Sequence, residues 1–369
     1  MERSTDAAVP GTTVSDQISR EELQLATRNH GMPLEALRYP VTPVGLHYVL
    51  IHYDIPVVDP ASWRLVIDGS VHRGLALSLD DLRQRPTVTS RVTMECAGNG
   101  RARLSPRALS QPWLVEAVGT AEWTGTPLRP LLEEAGLSGR AVELVFSGLD
   151  RGIEGGVEQR YQRSLRVGEA LGDGVLLAWE VNGQPLPPQH GFPLRLVVPG
   201  WYGMASVKWL ERVTAVEDGF RGYQQLRAYR YRQQPDDTGE PVSRIAPRSL
   251  LVPPGIPEFM TRRRFVPMGP CRLEGRAWSG WGPVAEVEVS DDGGRTWLAA
   301  ELDPPDGPHA WQRWSATWEP AGPGDYELCC RATDASGREQ PTSPQWNLGG
   351  YADNDVHRVA VTVRPAPAG

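Results

Sequence analysis

The 369-residue chain predicts an α+β domain followed by an all-β sandwich. Three observations carry this. Up to about residue 240, short helical signals mix with strand-like runs in no regular alternation, which points away from a doubly wound parallel sheet. A Pro-rich junction follows, from Glu240-Pro241-Val242-Ser243 to Pro257. Beyond it only strand-like runs remain, separated by turn residues at short, fairly even intervals, as in a β-sandwich. The expected division is an N-terminal arm with a short helix at 1–42, a first domain at 43–243 and a second at 244–369.

The elements follow in order. Residues 1 to about 18 are polar and small, an arm that wraps or stays disordered. Ser19-Arg20-Glu21-Glu22 is a capping box opening a short helix that His30-Gly31-Met32-Pro33 ends. Leu46 to Ile55 and Trp63 to Gly69 read as strands, and Ser78 caps a helix from Leu79 to Gln84 that Pro86 stops. Val88 to Met94 is a strand rich in Val and Thr. Pro127 starts a helix that Gly136 closes, and strands return at Ala141 to Phe146, Val175 to Val181 and Leu194 to Val198. In the second domain, strands are expected at Gly275 to Trp278, Ala285 to Ser290, Thr296 to Glu301, Trp311 to Trp318, Tyr326 to Thr333 and His357 to Val363. Alternation along Tyr326, Leu328 and Cys330 turns Cys330 to the core and Cys329 outward, and Tyr326 resembles the corner tyrosine of immunoglobulin-like domains.

Composition narrows the class. A net charge of -7 argues against a general nucleic-acid binder. With 34 Pro and 39 Gly the chain is turn-rich, and no run of 18 apolar residues is present to span a membrane. The first 30 residues show no signal-peptide pattern, and of the four cysteines two are adjacent, a poor disulfide framework. A reducing, cytoplasmic setting is the expectation.

The densest chemistry lies in Met94-Glu95-Cys96-Ala97-Gly98-Asn99-Gly100-Arg101-Ala102-Arg103. A thiol at a strand end, ahead of a tight cationic loop, is expected to form thiolate more readily than a core cysteine, and thiolate binds soft metals. Taken alone, Cys-Ala-Gly is more often a buried core thiol. A second constellation runs through His190-Gly191-Phe192-Pro193-Leu194-Arg195 and Pro199-Gly200-Trp201-Tyr202-Gly203-Met204-Ala205-Ser206-Val207-Lys208. It sets His, Arg, Ser and Lys among glycines that let backbone amides approach a phosphate-bearing ligand.

Other motifs carry less. Ser290 to Trp297 matches an Asp-box, but one copy reads as a hairpin turn with Trp297 packed beneath it. Gly98-Asn99-Gly100 lacks the third glycine of a dinucleotide fingerprint, and no haem or flavin motif is found. Arg262-Arg263-Arg264 reads as a solvated face.

Together these segments resemble the sulfite oxidase family of molybdopterin enzymes. The matching stretches are Leu79 to Leu82, Thr93 to Asn99, Gly148 to Asp150, Leu177 to Pro187, the His190 and Lys208 motifs, Ala277 to Gly280 and Trp346 to Gly350. The resemblance implies an α+β molybdopterin-binding domain, one molybdenum-molybdopterin per chain, and an immunoglobulin-like domain that makes a homodimer. Cys96 falls on the family's one protein sulfur ligand to molybdenum. The cofactor contacts implied are Tyr48, Val49, Leu50, Ile51, His52, Asp150, His190, Arg195, Ser206, Val207 and Lys208, with Arg101, Tyr229 and Arg313 on the substrate side.

One position departs. Sulfite oxidases carry an arginine two residues before the histidine at His52, and here that position is Leu50. Losing such a charge-assisted contact costs about 1.5–3 kcal/mol. The leading expectation is still oxygen-atom transfer on a small sulfur oxyanion, sulfite to sulfate, with electrons passed to a separate carrier such as a cytochrome. Leu50 favours the rival, a reductase of S- or N-oxides. A cofactor-free binding module is the rival from another class, and Cys96 with its His, Arg and Lys set speaks against it.

Overall fold

The computed structural model describes residues 18–365 and the short strand Thr13–Val14, which pairs with Arg107–Ala108. The rest of the expected arm, 1–12 and 15–17, lies outside the described residues. Helix α1 (Arg20–Arg28) begins with the expected capping box. Its Glu22 is fully buried and pairs with Arg107 at 2.8 Å, which pins the helix to the body of the protein.

The first half is built from β1 (Leu65–Gly69), β2 (Leu75–Leu77), α2 (Leu79–Arg83), β3 (Val88–Glu95), β4 (Val118–Pro127), α3 (Leu128–Ala135), β5 (Glu143–Glu154), β6 (Val157–Arg166), β7 (Leu176–Val181), β8 (Arg195–Val197), β9 (Leu210–Val216) and α4 (Tyr223–Leu226). One sheet runs β7-β4-β3, with β8 also paired to β7, and a second runs β2-β1-β9-β5-β6. All pairings in both are antiparallel except β1 with β9. In α3, Leu128, Leu131, Leu132 and Ala135 form one apolar stripe, all of it buried, and Gly136 ends the helix at φ +69.

The second half adds β10 (Arg248–Leu251), β11 (Arg264–Pro267), β12 (Cys271–Trp278), β13 (Val284–Ser290), β14 (Leu298–Ala299), β15 (Gln312–Trp318), β16 (Gly324–Asp334) and β17 (His357–Arg364). Sheets β10-β12-β15 and β11-β17-β16-β13-β14 close on a core that includes Leu273, Val287, Trp314, Leu328 and Val361. Gly275 is required there, because a Cβ would stand 2.3 Å from the Trp314 ring and 2.1 Å from the Leu250 carbonyl oxygen. Tyr326 donates its hydroxyl to the Gly322 carbonyl at 2.9 Å, a local corner of the expected kind. Leu250, Val252, Trp278 and Trp311 belong to the apolar core of the first half, so the two halves are packed continuously.

Three expectations are corrected. Leu46 to Ile55 forms no regular strand: Leu46 and His47 turn back onto the Pro43 carbonyl, Val49 makes one isolated bridge with His30, and Ile51 N and the Leu50 carbonyl turn to the side chains of Asn29 and Lys208. Cys329 does not face outward. Arg358 lies across it, 3.4 Å from its sulfur, while bonding the Gly293 carbonyl, and the thiol is buried. Of the arginine run, Arg264 is buried and donates to the carbonyls of Pro253, Pro254 and Gly255.

Candidate active site

Cys96 follows the last residue of β3, and its amide donates to the Ala117 carbonyl at 2.9 Å. The loop after it is locked. Asn99 accepts from the Ala117 amide and donates to Glu95 and to the Val115 carbonyl, while Gly100 turns the chain at φ +95. A Cβ on Gly98 would stand 2.6 Å from the Arg101 guanidinium, so only glycine lets that arginine fold back over the loop. Burial is the largest influence on the Cys96 thiol and pushes its pKa up, although the Gly98 amide and Arg101 pull the other way. The readier thiolate expected from the cationic loop is therefore not found in the free chain; a coordinating metal deprotonates a thiol outright.

Two chambers meet at Cys96. The inner one is narrow, about 70 Å³, and is walled by Tyr48, Val49, Leu50, His52, Asp150, His190, Arg195, Ser206, Lys208 and Tyr229. The outer one, about 390 Å³, takes Ile51 and Arg101 and shares Leu50, His52, Cys96 and Tyr229 with the first. Val207 is fully buried and lines neither. Arg313 does not join them. It projects from β15 into a separate cleft with Arg38, Pro40 and Trp311, held by Glu274 at 2.8 Å and Asp303 at 3.3 Å.

The inner wall is cationic and under-satisfied. Arg195 donates to the carbonyls of His190 and Ser206, each at 3.2 Å, and its face rests 4.6 Å from the Trp123 ring centre, but its Nε has no partner. Burial brings its pKa down to about 10. Lys208 donates to the carbonyls of Leu50 and Gln189, and burial, with Arg195 nearby, brings it to about 7. His190 Nε2 and Asp150 Oδ1 are buried without partners, and burial holds His190 neutral at about 2 and raises Asp150 to about 6. Buried polar groups are normally paired. Orphaned polar atoms of both kinds, Arg195 Nε and Asp150 Oδ1 among them, on a wall with two basic side chains fit a group that carries an anionic end and hydrogen-bond donors, as a pterin phosphate would, with its metal against Cys96.

Sequence reading missed several supports. Glu154 Oε2 accepts from His52 Nε2 at 3.0 Å, Tyr53 at 2.8 Å and the Gln224 amide at 2.8 Å, which sets the His52 ring between the chambers. Glu95, buried beside Cys96, takes Arg248 at 2.7 Å and the Trp278 indole at 2.8 Å. A carboxylate directly before the cysteine was visible in the sequence, but its partners lie more than 150 residues away.

A double-chambered pocket with a lone thiol beside an anion-seeking wall fits an enzyme that holds an anionic cofactor. Residues 52–224 match the oxidoreductase molybdopterin binding domain, and 248–364 match the Mo-co oxidoreductase dimerisation domain. The chain is 39% identical to sulfite oxidase of Gallus gallus over 337 residues, covering 86% of this chain and 72% of that one. It is 35% identical to mitochondrial sulfite oxidase of Homo sapiens, spanning 88% of this chain but 62% of that protein's length. The sulfane dehydrogenase SoxCD of Paracoccus pantotrophus superposes with a TM-score of 0.77 at 26% identity, over 90% of this chain and 86% of the other. The chain belongs to the sulfite oxidase family of molybdopterin-binding oxidoreductases.

Proposed function

We propose that this chain oxidises a small sulfur oxyanion, sulfite to sulfate in the leading case, and passes the electrons to a separate carrier such as a cytochrome. The observation that carries the reading is the desolvated, partly unpartnered Arg195, Lys208 and His190 wall standing beside the lone Cys96 thiol. Cys96 would ligate molybdenum, and Arg195, Lys208, His190 and Ser206 would hold the pterin and its phosphate. When bound, that group supplies the two-electron oxygen-atom exchange.

The chain's own part is orientation and charge. Arg101, buried, is aimed by its Nε bond to the Gly349 carbonyl at 2.9 Å and by the Tyr351 ring, 5.0 Å away, and presents its guanidinium to the outer chamber. Tyr229 presents its ring to both chambers and narrows the passage between them. Leu50 gives that passage an apolar side, which favours a second reading: turnover of a neutral S- or N-oxide in the reductive direction. Homodimerisation through residues 248–364 belongs to the same proposal.

The test is metal analysis of protein made in a host that synthesises molybdopterin, followed by sulfite-dependent reduction of cytochrome c. About one molybdenum per chain with sulfite turnover is expected. Cys96→Ser should retain pterin and lose turnover. Metal-loaded protein that ignores sulfite but consumes sulfoxides with a reduced dye would replace the first reading by the second.

A further inference from the structure

The buried arginines of this fold divide by partner. Arg107 pairs with Glu22, Arg248 with Glu95 and Arg264 with Glu35, while Arg276 lies in the field of Glu274, Asp303 and Asp306. Arg101, Arg195 and Arg163 are equally buried and have no carboxylate partner among the described residues. Arg101 and Arg195 line the chambers. Arg163 lines neither, and the proposed function leaves it unused.

Arg163 stands on β6 two residues after Tyr161, at an inward position where the strand would ordinarily carry an apolar side chain. It is 2% exposed. Its Nη1 donates to the Gln224 carbonyl, its Nε has no partner, and its guanidinium carbon lies 5.5 Å from the centre of the Tyr229 ring. Among the groups that bear on it are the phenols of Tyr161, Tyr229 and Tyr351 and one more cation, Arg230. Burial draws its pKa down, yet a guanidinium stays charged at any pH near neutrality. An uncompensated buried cation is costly, and no carboxylate among the described residues pairs with this one. An anion within reach would offset it, and Tyr229, whose ring the guanidinium faces, lines both chambers. That tyrosine is held at φ +50, with its carbonyl accepting from Val242 N at 2.9 Å, which fixes the backbone that carries the ring.

We propose that Arg163 is a specificity-determining residue, a fixed positive charge behind Tyr229 that draws an anionic substrate to the chamber junction and makes up for the apolar side chain at Leu50. The proposal rests on the oxyanion reading above. Charge acting through buried protein is screened far less than charge acting through water, so the residue needs no direct contact.

The test uses oxidised holoprotein and sulfate, an inert dianion, titrated by calorimetry, beside sulfite kinetics and molybdenum content. Arg163→Gln should weaken sulfate binding and raise KM for sulfite, each roughly ten-fold or more, a loss of about 1.4 kcal/mol or more. Molybdenum content and kcat should stay near the parent's. Arg163→Lys, assayed below the pH at which a buried ammonium gives up its proton, should recover most of the affinity, since it restores charge without the planar stack. Should Arg163→Gln fail to fold, Arg163→Met carries the same comparison. Unchanged sulfate affinity in the neutral variants overturns the proposal. So does an Arg163→Lys protein as impaired as Arg163→Gln, because the role is then stacking alone, and so does a parent that binds no sulfate. A parent that binds sulfate through Arg163 without oxidising sulfite overturns the proposed reaction and leaves the anion site standing.

Discussion

Glu95 and Arg248 face each other at 2.7 Å with each side chain 1% exposed. Glu95 ends β3 immediately before Cys96, and Arg248 opens β10 in the dimerisation domain, so an ion pair from one domain anchors the thiol loop of the other. Trp278 and Asn99 occupy the remaining capacity of the carboxylate, while Arg248 also donates to the Asp353 carbonyl at 2.8 Å. A fully buried pair adds little net stability, because desolvation offsets attraction. Removing one member is another matter, since it strands the other charge.

Glu95→Gln should therefore cost about 3–5 kcal/mol of unfolding free energy. The double variant Glu95→Gln with Arg248→Met should lose distinctly less than the two singles added together. Urea denaturation of all four proteins checks this. Additive losses would show that the two residues do not act as a unit.

Arg101 and Arg313 separate cleanly. Arg101→Gln should raise KM for sulfite roughly ten-fold or more, since each such factor is only 1.4 kcal/mol of binding. Arg313→Gln should leave it within about two-fold. Arg313 is more than a third exposed and tied to Glu274 and Asp303 in a different cleft, and exposed ion pairs contribute about 0–1 kcal/mol. A large KM effect at Arg313 would mean that the domains rearrange on binding substrate.

His357 gives a pH signature. It is buried, its Nδ1 accepts from the Leu251 amide at 3.0 Å, and burial lowers its pKa to about 3. A histidine kept neutral in the fold gives stability that is fully present above its unfolded value near 6.5 and is lost as pH falls toward 3. His357→Gln keeps an acceptor for Leu251 and removes the titration. The melting temperature of the parent should fall more steeply than the variant's between pH 6.5 and 4, and parallel curves would disprove the assignment.

The sequence disclosed what short-range chemistry dictates. The capping box at Ser19, the cap at Ser78, the Pro127 to Gly136 helix, the Cys96 loop and the His190 to Lys208 wall were all legible from neighbouring residues. Contacts made over long separations were not. Arg313 was expected on the substrate side from the family resemblance, but whether it turns to the pocket or to Glu274 depends on the register with β12, where Arg313 stands opposite Arg276. The cationic residues around Cys96 were likewise visible, but the burial that raises its pKa belongs to tertiary packing. Arg163 offered one signal, a charged residue where strand alternation demands an apolar one.

The last prediction concerns the dimer. Residues 248–364 match a dimerisation domain, and the first edge of its larger sheet, with the turn that follows it, carries exposed apolar side chains. Ile256 is 65% exposed, Phe259 83% and Met260 79%, clustered within five residues of Ile256–Pro257, the edge strand that pairs with β11. Large apolar side chains grouped on an unpaired edge are an aggregation hazard unless a partner covers them, and a twofold copy is the commonest partner. Light scattering at micromolar concentration should give twice the 40.6 kDa chain mass. Phe259→Asp with Met260→Asp should shift the protein toward monomer, because a charge buried in an interface without a partner is strongly unfavourable. Molybdenum content should be unaffected, since both positions lie outside the chambers. A variant that stays dimeric would place the interface elsewhere on the domain, and a parent that is monomeric at every concentration would remove the dimer from the proposed function.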